Sequence, residues 1–155
     1  MLTWIIAAGA SAALIAVPPS VTQYDAVIAP DAAAPESFIG SAGVVHISLS
    51  DDALRYDVTI AGVRHITNIA LVDSGRAVEL YGAGDSRGNE LHVQGEIPAS
   101  QIDDIPASQL SMDLSKGVAE VVVFTTNEPG GVMEGTLKPA GLAAPTEPST
   151  ARLIS

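Results

Sequence analysis

Three histidines, two acidic pairs and one polar glycine loop hold the side chains of this sequence best suited to acting on another molecule. His46, His65 and His92 are dispersed, and none has a second histidine at the spacing that metal sites use. They are expected at the surface. Asp51-Asp52 and Asp103-Asp104 pair carboxylates in sequence only. A hydrolytic pair must converge across a cleft, whereas these sit where turns and helix starts favour aspartate. In DSRGNE, Asp85, Asn89 and Glu90 offer oxygens of the kind calcium takes. Their spacing departs from the EF-hand loop, and Arg87 adds an opposing charge. A solvated hairpin loop is the expectation. Ser100, Ser108 and Ser111 lack a nucleophile-elbow context. Gly82-Ala83-Gly84 is not followed by the helix that a dinucleotide site requires. The chain has no cysteine, which excludes disulfides, thiolate metal sites and thiol nucleophiles. The residues therefore predict no catalytic group, no cofactor and no metal.

Charge narrows the partners. The formal net charge is -11 over 155 residues. Such a surface repels phosphate backbones, so nucleic acid is not expected as a partner, and it disfavours basic-patch attachment to anionic lipid.

The elements that would position these side chains are mostly strands. Residues 118–137 contain the strongest local signal. Ala119, Val121 and Val123 fall on one face of an extended chain, with Val118, Val122 and Phe124 on the other. A strand apolar on both faces belongs inside a sheet or between two layers. Glu128-Pro129-Gly130-Gly131 supplies turn chemistry, and residues 132–137 return as a second strand. In residues 54–60 Leu54, Tyr56, Val58 and Ile60 alternate with Arg55, Asp57 and Thr59, giving one buried and one wet face. Further strands are read at 21–28, 40–49, 66–72, 77–81 and 91–97. The pentapeptide IPASQ occurs at 97–101 and again at 105–109. Each copy is expected to open a short helical turn, with Ile102, Ile105, Leu110 and Leu114 covering the core. The pattern predicts an all-β fold, an antiparallel β-sandwich or Greek-key barrel with one short helical crossover.

Residues 2–17, LTWIIAAGASAALIAV, are apolar and end at Pro18-Pro19. The run is shorter than the roughly 20 residues that span a bilayer and fits the apolar region of a secretory signal. The organisation read from the sequence is a signal peptide at 1–20, a β-domain at 21–139 and a mobile tail at 140–155, with no membrane span after processing.

Two blocks of this chain resemble the chordin-type (CHRD) domain, over roughly residues 24–139. SAGVVHISLSDDALRYDVTIAGV is similar to the family's strand, turn and L-x-Y-x-V pattern, and includes Gly43 and Tyr56. VVVFTTNEPGGVMEGTL is similar to its terminal hairpin, through Thr125, Pro129, Gly130, Gly131, Gly135 and Leu137. The family often carries histidines where this chain has Ala70, Val72 and Phe124, and an arginine where it has Glu134. Apolar residues at those positions are expected to pack as core. The resemblance implies an extracytoplasmic β-sandwich with an adhesive or ligand-binding role. Its partner would be an unidentified protein or surface component.

Three functions follow as expectations. The first is a secreted or cell-surface, non-catalytic binding module. The second is a metal protein or enzyme built like copper-zinc superoxide dismutase, for which clustered histidines are missing. The third is a surface protein that self-associates through sheet edges. If the apolar leader is a signal, mass spectrometry of the native protein will find its N-terminus between about residue 13 and residue 24. An intact Met1 on a cytosolic protein would refute export.

Overall fold

The computed structural model describes residues 22–82, 86–102 and 105–140. The expected leader and tail, and Asp103-Asp104, lie outside the described residues. The strands are β1 (Thr22–Pro30), β2 (Ala42–Leu49), β3 (Ala53–Ala61), β4 (Ile66–Asp73), β5 (Arg76–Tyr81), β6 (Glu90–Pro98), β7 (Glu120–Thr125), β8 (Met133–Thr136) and β9 (Lys138–Pro139). A ten-residue helix, α1 (Ala107–Lys116), precedes β7.

Every strand pairing is antiparallel, in the order β5-β4-β7-β8-β1-β2-β3-β6, with β9 added beside β1. The path curls into a nearly closed barrel of two facing halves. One half is β1-β2-β3-β6 and the other is β5-β4-β7-β8. They join where Ala29 and Pro30 of β1 pair with Glu134 and Met133 of β8. The sheet ends at β5 and β6, which do not pair with each other among the described residues. This is the all-β architecture that the alternation predicts.

Alternation places the core. Tyr24, Ala26 and Ile28 of β1, Val45, Ile47 and Leu49 of β2, and Leu54, Val58 and Ile60 of β3 are all buried. They face Ile69 and Leu71 of β4 and Val121 and Val123 of β7. The strand expected to be apolar on both sides lies between β4 and β8, with Val121 and Val123 fully buried and Val122 and Phe124 half-buried. Val118 lies outside the strand and is exposed.

The expected turn and helical segments are present, with two differences of detail. The turn after β2 is closed by Ser50 and not by its aspartates. The Ser50 hydroxyl donates to the Ala53 carbonyl at 3.1 Å and accepts from the Ala53 N–H at 3.2 Å. The IPASQ repeats also differ. The first gives a single 3-10 turn at Ala99–Gln101, and the second opens a true α-helix. A helix begun at Ala99 would run into Pro106, which cannot donate and clashes with the preceding turn. The second copy leads instead into Leu110 and Leu114, four residues apart on one face and fully buried. With Ile102 and Ile105, also buried, they plug the barrel as the sequence suggests.

Val123→Asp places a carboxylate without a partner at a fully buried site, a cost of several kcal/mol against a total stability of roughly 5–15. It will abolish cooperative unfolding, whereas exposed Asp51→Ala will cost no more than about 1 kcal/mol. Urea midpoints for both variants check this; equal midpoints would refute the core assignment.

Candidate functional site

Antiparallel register aligns polar side chains that are far apart in sequence. On the outer face of β1-β2-β3-β6, Asp25 pairs with His46, His46 with Asp57, and Asp57 with Gln94. The next row runs from Ser48 to Arg55 to Glu96. Opposed residues on one face have Cβ atoms about 4.5–5.5 Å apart, so each row is a contiguous ladder of side chains.

The ladder is tied together laterally. His46 Nδ1 lies 2.7 Å from Asp25 Oδ1, and His92 Nε2 lies 3.0 Å from Asp57 Oδ1. The Gln94 amide donates to the other Asp57 oxygen at 2.8 Å. Arg55 Nε donates to Glu96 Oε2 at 2.6 Å. These contacts fix side-chain direction while the groups stay 40% or more exposed to water. The result is a shallow, open trough of about 540 Å³, lined by His46, Ser48, Arg55, Asp57, Gln94 and Glu96 over a floor that includes Tyr56 and Gly95. The Tyr56 ring lies across Gly95, in the space that a Cβ there would take. Burial, then the negative Glu79 on β5, push the Tyr56 phenol above its ordinary pKa, so it stays protonated.

Chemically the trough is a bed of alternating donors and acceptors. Asp57 is engaged through both oxygens, and His46, Arg55, Gln94 and Glu96 line the trough beside it. The Asp25–His46 pair has the form of a carboxylate orienting a base. No serine or threonine hydroxyl among the described residues is hydrogen-bonded to that histidine's other nitrogen, and the pair sits in open water and not in a cleft. Among the described residues no three acidic or histidine side chains converge as a metal site would require.

The other sequence candidates lie elsewhere. His65 is exposed at a left-handed backbone position, φ 59°, between β3 and β4. Asp51 and Asp52 are exposed in the β2–β3 turn. Asp85 lies outside the described residues, and the Asn89 side-chain oxygen accepts from Arg64. Of the residues that carry the resemblance, Tyr56 alone borders the trough, from beneath, its ring packed against the core on the inner face of the sheet. Gly43 is buried within β2. Thr125 closes the last hairpin by accepting the Glu128 N–H at 3.1 Å, with Pro129 and Gly130 exposed at the tip and Gly131 following. Gly135 sits against the backbone of Val27 and Ile28. The apolar replacements do not all pack as core. Ala70 is buried, but Val72 and Phe124 are half-exposed on the outer face of the second half-barrel, where Phe124, Ala70 and Pro129 line a shallow hollow.

Fold and face together define an antiparallel β-barrel that carries a preformed polar trough. No family model, curated protein or solved structure matches the chain. Among the described residues no helix is long and apolar enough to cross a membrane.

Exposed ion pairs contribute little to stability, so the trough can be altered without loss of the fold. Glu96→Ala will lower stability by no more than about 1 kcal/mol. A larger loss in thermal or urea denaturation would show that the Arg55–Glu96 contact is structural.

Proposed function

We propose that this protein is a secreted or cell-surface, non-catalytic binding module of chordin type, and that the β1-β2-β3-β6 trough is its ligand face. One observation carries the reading. Three adjacent strands, β2, β3 and β6, present an ordered set of exposed hydrogen-bonding side chains, held in place by their neighbours, by Asp57 in particular and by Asp25 of β1. Side chains already fixed in direction lose little conformational freedom when a ligand arrives, which is how preorganisation raises affinity. The openness of the trough suits an extended polar surface component and not an enclosed small molecule. The apolar leader and the resemblance of the two sequence blocks support the compartment. Fold alone fixes no function, so the reading rests on the face itself.

Self-association is the second reading, and the open edges of β5 and β6 favour it. The two are separable. The domain is immobilised and offered envelope and surface components, beside an Arg55→Ala/Gln94→Ala variant. Binding that the double variant loses at least tenfold is expected. Equal capture by both would refute the trough as the ligand face, and concentration-dependent light scattering without any captured component would favour self-association.

A further inference from the structure

Asp73 is the last residue of β4 and is 1% exposed. Asp113 projects from α1 and is 7% exposed. Asp73 Oδ1 accepts from the Ser74 hydroxyl at 3.0 Å, but its Oδ2 is buried without a hydrogen-bond donor. The Asp113 carboxyl lies within hydrogen-bonding reach of Asp73, and its own Oδ2 accepts from the Gln109 amide at 2.7 Å. Ionised carboxylates only accept, so two of them facing each other in the interior repel and leave lone pairs unmet. One proton between them replaces that repulsion with a short O–H···O bond, which is strong because one partner is charged.

We propose that Asp73 and Asp113 hold a single proton between them, and that this proton latches α1 to the β4–β5 hairpin as a pH-responsive fastening. The helix has a second fastening on another strand. The Tyr24 hydroxyl of β1 lies 3.2 Å from Ser115 Oγ and donates to the Ser111 carbonyl at 3.4 Å. Loss of the proton would therefore release one side of the plug while the other holds.

The surroundings of Asp73 agree. Burial is the largest influence and raises its pKa. The Ser74 hydrogen bond lowers it, the charge of Asp113 and the hydrogen bond to it raise it, and Arg76 on β5 lowers it. The net direction is upward. A carboxyl whose folded pKa exceeds its unfolded value stabilises the fold fully below the unfolded pKa. That contribution is lost as pH rises through the folded pKa. The window thus opens near the ordinary aspartate value of about 3.9 and extends upward from it.

Asp113→Asn tests the latch, because its amide can donate permanently where the shared proton does. Thermal midpoints would be measured from about pH 4 to pH 8, spanning the ordinary aspartate value and the range above it. The variant should melt higher than the native protein at the upper end and show a flatter pH dependence. Carboxyl-carbon NMR should place the Asp73 titration above the usual aspartate range in the native protein and lower in Asp113→Asn. Hydrogen exchange of the α1 amides should quicken with pH, beyond the intrinsic rate, in the native protein alone. Ordinary titration of Asp73, or identical pH slopes for the two proteins, would overturn the proposal. So would a calcium-dependent rise in melting temperature at neutral pH that Asp73→Asn abolishes, since a cation and not a proton would then bridge the pair.

Discussion

Closure of the barrel depends on how near β8 can come to β1. The two half-barrels meet at the short pairing of Ala29 and Pro30 with Glu134 and Met133, continued by the Asp31 N–H to the Val132 carbonyl and by β9 beside Tyr24 and Asp25. Gly135 makes that approach feasible, since a Cβ there would collide with the Val27 carbonyl. Backbone cannot yield as the end of a flexible side chain can. A side chain at this position would push the halves apart and open the faces carrying Ile28, Val123 and Met133 to water. The terminal hairpin therefore does more than end the chain. Its turn, through Thr125 and Glu128, sets the register that delivers Gly135 to β1.

The plug depends on that closure. Leu110 and Leu114 bury against an interior that exists only once both halves face each other. Tyr24 shows how polar and apolar demands are met together. Its ring is fully buried, while its hydroxyl reaches the helix residues Ser111 and Ser115. The helix thus sits between a neutral hydroxyl contact on one side and a carboxyl pair on the other.

Much of the fold was legible because its signals are local. Alternation in Leu54, Tyr56, Val58 and Ile60 marked the inward face of β3, and the last hairpin followed from its turn residues. The trough was less legible. Arg55 and Asp57 could be placed on a wet face, but their neighbours Asp25, Gln94 and Glu96 arrive through register between strands distant in sequence. Asp73 precedes Ser74 and Gly75, a run of residues that suits an exposed turn. Only the packing of α1 reveals that its carboxyl is buried. The two IPASQ copies teach the same lesson, since identical pentapeptides took different forms according to what followed them.

The unpaired flank of β6 has a consequence for recognition. Among the described residues this strand pairs with β3 on one side only, yet it contributes Gln94 and Glu96 to the trough. A strand bonded along a single flank frays more readily than one held on both. A ligand reaching from His46 to Glu96 would act as a splint across three strands. Part of its binding energy would go into quieting β6, so the bound barrel would be stiffer at its seam than the unbound one.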